Sequence, residues 1–161
     1  MRNLSLIAVG AVLALSACKA PEGAAPEAQA PETPATLGAV VARDYPQSFE
    51  AWQGYVARRE DEGAEWLKTL DVTSGPLVPV TLGEKAYMKG YACKTGAASC
   101  DSDRVVFFVA PDQSKIFGYA ELNLPNGFTA QRMLGAANGE ELHCLRFFIN
   151  DTTGTTVCPP K

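Results

Sequence analysis

The sequence predicts an α+β domain: an antiparallel β-sheet of about five strands with one or two helices packed on one face. Two observations support this fold class. An amphipathic helical pattern comes first, near residues 48–58, and short runs of β-branched and aromatic residues follow it, separated by turn-forming residues. Helices followed by a series of strands are typical of α+β domains, whose sheets are antiparallel.

Residues 1–17 have the pattern of a signal peptide. Arg2 precedes an apolar run over residues 6–15, and the small residues Ser16 and Ala17 follow it. The run is shorter than the roughly 20 apolar residues that a membrane-spanning helix needs. We therefore expect export followed by cleavage.

Cys18 directly follows Leu15-Ser16-Ala17, an arrangement that resembles the lipobox of bacterial lipoproteins. The resemblance implies cleavage before Cys18 and lipidation of its amine and thiol. The expected contact of the protein with the membrane is then through this lipid anchor only. Lys19 stands where an Asp would retain a lipoprotein at the inner membrane under the enterobacterial sorting rule. The expected location is therefore the bacterial cell envelope, at the outer membrane and facing the periplasm. The alternative is an ordinary signal peptide with an incidental cysteine.

Residues 18–36 form a tether that starts at the lipidated cysteine. The segment is rich in Pro, Ala and Glu and has no large apolar residue to bury, which predicts a semi-rigid spacer. Residues 37–161 are long enough for one domain with a single core. The whole chain has a formal net charge of −4, and this mild acidity argues against binding to nucleic acid or to anionic lipid and is compatible with a basic protein partner.

The first predicted element of the domain is a helix that follows Ser48. Phe49, Trp52, Tyr55 and Val56 recur at helical spacing. Ser is a favoured residue at the N-cap, so the sequence predicts an amphipathic helix with Ser48 as its cap.

Residues 65–70 predict a second short helix, and beyond it the pattern changes to strands. Within that later part, residues 130–137 predict a further helix that ends at Asn138-Gly139. Turn-forming residues separate the runs of β-branched and aromatic residues. The predicted strands are residues 77–81, 85–92, 104–110, 115–122 and 141–149.

The chain has five cysteines, and four remain if Cys18 carries lipid. An even number in an exported protein predicts two disulfides. Of the three possible connectivities, pairing of nearest neighbours is the simplest, because each bond then closes a loop between adjacent elements. A tight hairpin at residues 151–154 would place Phe147 opposite Cys158, so the second bond requires a bulge or an irregular tail. The expected bonds are Cys93–Cys100 and Cys144–Cys158.

Motifs of catalysis and metal binding are absent from the sequence. His143 is the only histidine, no Cys-x-x-Cys pair accompanies it, and the chain has no nucleophile elbow and no glycine-rich phosphate loop. We therefore expect a binding protein, with no enzymatic activity, no metal and no cofactor. An enzyme remains the rival class.

The cysteine loop, residues 93–100, connects the predicted strands 85–92 and 104–110. Its residues are Cys93, Lys94, Thr95, Gly96, Ala97, Ala98, Ser99 and Cys100. Loops that are held on a rigid scaffold often carry binding sites. The alternative is a long hairpin connection whose disulfide only stabilises the fold.

Segments on both sides of the loop form one pattern. They are Trp66-Leu67, Val80-Thr81-Leu82-Gly83-Glu84-Lys85-Ala86-Tyr87, Ala92-Cys93-Lys94, Cys100 with Arg104-Val105, and Ile116-Phe117-Gly118. Together they resemble the core of the Ivy family, the inhibitors of vertebrate lysozyme, over roughly residues 49–119. The resemblance implies a central antiparallel sheet from which a disulfide-closed loop projects into the active-site cleft of a lysozyme.

The loop itself departs from the family pattern, Cys-Lys-Pro-His-Asp-Cys. It is two residues longer and lacks Pro, His and Asp, which leaves Lys94, the hydroxyls of Thr95 and Ser99, and the backbone N–H groups around Gly96 as donors to the carboxyl pair of a cleft. The implied function is inhibition of a lysozyme-like, peptidoglycan-cleaving muramidase or a lytic transglycosylase. The alternative is a non-inhibitory binding or structural lipoprotein of the envelope that retains the fold. A homodimer also stays open.

Replacing Cys18 tests the expected anchor. The Cys18→Ala variant should appear in the soluble periplasmic fraction, because it lacks the residue that would carry lipid. Mass spectrometry of the membrane-extracted parent protein should show acylated Cys18 at the N-terminus. A Cys18→Ala variant that stays in the membrane would contradict the lipid anchor.

Overall fold

The computed structural model describes residues 35–58, 65–72, 76–94, 100–151 and 155–161, all within the unit Thr33–Lys161. The expected signal peptide, Cys18 and most of the tether lie outside the described residues. Over these ranges the chain forms four helices and five strands, which confirms the α+β class. They are α1 (Leu37–Asp44), α2 (Pro46–Ala57), α3 (Glu65–Thr69), β1 (Val78–Leu82), β2 (Lys85–Cys93), β3 (Arg104–Val109), β4 (Ile116–Asn123), β5 (Thr129–Leu134) and α4 (Gly139–Phe148).

The strands form one sheet in the order β1-β2-β3-β4-β5, and every neighbouring pair is antiparallel. Cys93 pairs with Arg104, Arg104 with Glu121, and Glu121 with Gln131. The β2–β3 connection and the β4–β5 turn therefore lie at the same end of the sheet, which we call the loop end. The β1–β2 turn lies at the opposite end.

Helices cover both faces of the sheet. The five β3 residues 105–109 are each 0% exposed. Phe107 packs in a core with residues of α1, α2 and α3, whereas Phe108 packs in a second core with residues of α4. The sequence predicted helices on one face of the sheet only. In the structure α4 covers the other face as well.

The first core depends on the close approach of Trp52 and Phe107, whose ring centroids are 5.4 Å apart. A Cβ at Gly90 would lie 2.2 Å from the Phe107 ring, and a Cβ at Gly118 would lie 2.7 Å from Trp52. Glycine at these two strand positions thus makes room for the two rings. Trp52 Nε1 also donates to the Leu67 carbonyl oxygen at 2.6 Å, which ties α2 to α3.

The predicted N-cap of the helix near residues 48–58, which is α2 in the structure, is wrong. Helix α2 begins at Pro46, because the fixed φ of proline suits the first helical position and its missing N–H leaves no donor unsatisfied there. Ser48 lies within the first turn and is buried, with its hydroxyl 3.4 Å from the Gln113 carbonyl oxygen as acceptor. Helix α1 precedes it and was not predicted from the sequence.

The predictions for residues 130–149 are also wrong. The predicted helix at 130–137 is largely strand β5, and the predicted strand at 141–149 is largely helix α4. Asn138 begins the helix rather than ending one: its side chain accepts hydrogen bonds from the N–H groups of Glu140 and Glu141, and the Glu141 carboxylate accepts from the Asn138 N–H. This reciprocal capping box satisfies donors that the first turn would otherwise leave unpaired.

Glu141 is also the centre of a buried polar network that links α4 to the sheet. The residue is 3% exposed, and its carboxylate accepts a hydrogen bond from the Tyr87 hydroxyl at 2.9 Å and pairs with the Lys115 ammonium group. Burial opposes ionisation of the carboxyl, but the bonds from Lys115, Asn138 and Tyr87 outweigh it and lower the pKa of Glu141. Burial and the bond to Glu141 raise the pKa of Tyr87 to about 12.

Removing the Glu141 charge should destabilise the fold. Because hydrogen bonds to a charged group contribute about 1.5–3 kcal/mol each, Glu141→Gln should lower the free energy of unfolding at pH 7 by about 2–3 kcal/mol. A carboxyl whose pKa is lowered by folding stabilises above the pKa of its unfolded state, about 4.3, and this contribution disappears as the pH falls through its folded pKa. Denaturant titration from pH 7 to pH 3 should therefore show a shallower acid loss for Glu141→Gln than for the parent.

Glu140→Gln is the matched control, because Glu140 is exposed and occupies the same helical turn. Equal stability of Glu141→Gln and Glu140→Gln at pH 7 would contradict the proposed role of the buried network.

Candidate functional site

The base of the cysteine loop closes as the sequence predicts. Cys93 and Cys100 form a disulfide with their Cα atoms 5.6 Å apart. The Lys94 N–H donates to the Asp103 carbonyl oxygen at 2.8 Å, which extends the β2–β3 pairing one step past the disulfide. The remaining predicted loop residues, Thr95, Gly96, Ala97, Ala98 and Ser99, lie outside the described part of the chain.

The arm that returns from the loop is bonded to the neighbouring hairpin. Asp103 has a φ of 54°, in the left-handed region that Asp tolerates better than most residues. Its Oδ1 accepts from the Asn123 N–H at 3.1 Å, and Ser102 Oγ accepts from Asn123 Nδ2 at 2.6 Å. One residue at the end of β4 therefore fixes the return arm of the loop.

A largely buried ion pair lies beside this arm. Arg104 donates from Nε and Nη2 to Glu121 Oε2 at 2.8 and 2.6 Å, and the two side chains are 14% and 12% exposed. Burial opposes the charge of Arg104, but the bonds to Glu121 outweigh it and raise the pKa of the guanidinium. Arg104 Nη2 also donates to Asn150 Oδ1 at 2.9 Å, so the pair joins the base of the loop to the segment that directly follows α4.

The residues that fix the base of the loop were not predicted from the sequence. Ser102 and Asp103 belong to the β2–β3 connection, whereas Asn123 ends β4, so their contact follows only from the pairing of β3 with β4. The ion pair, in contrast, could have been predicted from the sequence. Arg104 and Glu121 are charged residues at the margins of two apolar runs, and adjacent antiparallel strands would place them side by side.

Charged and polar groups are thus collected at the loop end. Lys94 is partly exposed, Asp101 is exposed, and Asp103 is held by its bond to Asn123. Within the described ranges, no three His, Cys, Asp or Glu side chains are grouped closely enough to hold a metal ion. No helix among those residues is long and apolar enough to cross a bilayer.

No family model and no curated protein matches this chain.

His143 and the second disulfide lie away from the loop end. His143 Nε2 is 3.3 Å from the Pro159 carbonyl oxygen, in a cavity of about 550 Å³ whose lining includes Gly83 of the β1–β2 turn. Cys144 bonds to Cys158 with Cα atoms 5.5 Å apart. The predicted pairing is confirmed, and of the two routes to it the irregular tail is the one observed, because Cys144 lies on a helix and residues 155–161 form only an isolated bridge to β1.

Removing each disulfide should lower stability by a similar amount. On the chain-entropy model, an eight-residue ring contributes about 2.5 kcal/mol and a fifteen-residue ring about 3 kcal/mol. We expect Cys93→Ser/Cys100→Ser and Cys144→Ser/Cys158→Ser to lower the free energy of unfolding by these amounts in denaturant titrations.

Peptide mapping of unreduced parent protein should recover the two linked pairs, and free thiols at positions 93 and 100 in periplasmic protein would contradict the closed loop.

Proposed function

We propose that residues 37–161 form an Ivy-like domain that binds a lysozyme-like muramidase or lytic transglycosylase and blocks its cleft with the cysteine loop. The protein would act from the periplasmic side of the envelope, held there through Cys18. The observation that carries the proposal is a disulfide-closed loop at the end of a sheet, with both of its arms fixed by hydrogen bonds.

The segments that resemble the Ivy family support this proposal, because the fold makes most of them neighbours. Residues 80–87 span the β1–β2 hairpin, residues 92–94 end β2, residues 104–105 begin β3 and residues 116–118 begin β4. They therefore lie on four consecutive strands of one sheet. The remaining segment, Trp66-Leu67, lies on α3, where Leu67 accepts the bond from Trp52.

The geometry at the base of the loop suits insertion into a cleft. An inserted loop binds more tightly when its conformation is set beforehand, because less entropy is lost on association. The disulfide and the bonds at Lys94, Ser102 and Asp103 provide that order at the two arms. A muramidase cleaves glycosidic bonds, so a peptide loop in its cleft is not a substrate.

Charge complementarity also favours such a target. A glycoside hydrolase cleft holds two carboxyl groups about 5–10 Å apart, and an inserted loop must offer donors or positive charge to them. Lys94 supplies a cation beside the disulfide, on a partly exposed position. The contact should therefore depend on Lys94 together with the hydroxyl and N–H groups predicted for the tip.

Reversing the charge at position 94 tests the proposed contact. The mature protein, solubilised in detergent, is titrated against a vertebrate-type lysozyme, a phage-type lysozyme and a lytic transglycosylase, and both the Kd and the inhibition of peptidoglycan lysis are measured. For the enzyme that binds, Lys94→Glu should raise the Kd at least about thirty-fold, since loss of a charged contact in an interface costs about 2 kcal/mol or more.

Lys85→Glu is the matched control, because Lys85 is exposed on the same strand at the opposite end of the sheet. Equal Kd values for the parent and Lys94→Glu would mean that the loop is not the inhibitory element. Binding without inhibition would favour the alternative of a non-inhibitory envelope lipoprotein. Replacing residues 95–99 with Pro-His-Asp should raise affinity for the vertebrate-type lysozyme.

A further inference from the structure

The β4–β5 turn, residues 124–128, displays an aromatic side chain to solvent. Phe128 is 71% exposed, and among the described residues only Val157, at 66%, is another large hydrophobic side chain so exposed. Single exposed apolar residues are common on protein surfaces. Phe128 differs from such residues in its location and in the hydrogen bonds within its turn.

Phe128 lies at the same end of the sheet as the cysteine loop. It directly precedes Thr129, which pairs with Asn123, and Asn123 donates to both Ser102 and Asp103 on the return arm of the loop. Three inter-strand steps separate β2 from β5, or roughly 14 Å at about 4.8 Å per step. A standard interface covers about 800 Å² on each partner, a patch roughly 30 Å across, so one partner can contact both elements.

The turn is ordered by its own hydrogen bonds. The Leu124 N–H donates to the Phe128 carbonyl oxygen at 2.8 Å, and the Phe128 N–H donates to Asn126 Oδ1 at 3.1 Å. Gly127 has a φ of 82°, a conformation that glycine adopts without strain, and its N–H donates to the Leu124 carbonyl oxygen at 2.9 Å. The backbone that carries Phe128 therefore needs little further ordering to bind a partner.

We infer that the β4–β5 turn is a second contact of the inhibitory surface, with Phe128 as its apolar anchor. This inference rests on the proposed function. While the cysteine loop occupies the cleft, the Phe128 ring buries against apolar surface beside it. Binding clefts are lined mainly by hydrophobic and aromatic side chains, and a pyranose ring presents apolar C–H faces to them, so a glycan-binding cleft offers such a surface. Buried aromatic side chains are also frequent hot spots of protein interfaces.

The two exposed apolar residues provide a matched pair of substitutions. Phe128→Ala removes the proposed anchor. Val157→Ala removes a comparably exposed side chain beside Thr81, near the opposite end of the sheet. Both variants should retain the Tm of the parent. Against the enzyme of the panel that binds the parent protein, Phe128→Ala should raise the Kd at least tenfold, mainly through a faster dissociation rate, and Val157→Ala should leave it unchanged.

The same titrations separate failure of the inference from failure of the proposed function. If Lys94→Glu weakens binding while Phe128→Ala and Val157→Ala both bind like the parent, the turn is not a contact and the proposed function stands. If Phe128→Ala weakens binding while Lys94→Glu does not, the turn is supported as a contact and the inhibitory role of the loop is overturned. If the parent binds no enzyme of the panel, both proposals are overturned.

Discussion

Burial of β3 on both faces is the constraint on which the rest of this fold depends. Residues 105–109 expose none of their surface, so every side chain of this stretch must contact another layer. A sheet with one solvent-facing side would instead show alternating polar residues in its central strand. Helices α1, α2 and α3 supply one layer and α4 supplies the other, and Gly90 and Gly118 leave room for the rings of the first core.

This constraint also explains which elements the sequence could predict. The bounds of the first four strands agree with the structure to within one residue at every end, because turn-forming residues and the closing cysteines separate them in the sequence itself. Residues 141–149 are rich in aromatic and branched side chains and so satisfied a strand pattern equally well. Two signals favour a helix there: the Asn138 to Glu141 capping-box spacing and the unbroken apolar run 105–110, which requires cover on a second face.

In the candidate site, too, some features follow from residues close together in the sequence and others from residues far apart in it. The two disulfides followed from cysteine parity and neighbouring position, which are properties of the sequence. The bonds that hold the loop base join residues far apart in the chain: Asn123 lies 20 residues from Asp103, and Asn150 lies 46 residues from Arg104. The contacts between these residues depend on strand register and on the position of α4. Most of α4 had been predicted from the sequence to be a strand.

The two ends of the sheet therefore differ in the interactions that they hold. At the end opposite the loop, the Glu141 network joins α4 to β2 and to the turn before β4, so substitutions there act on folding. At the loop end, the Arg104–Glu121 pair and the Asn123 bonds hold the backbone, while Lys94 is partly exposed and Phe128 is largely exposed. Neither side chain belongs to the buried cores, so substitutions at these two positions should leave the scaffold unchanged. A frame of this kind can keep its fold while the loop between its cysteines changes in length and chemistry.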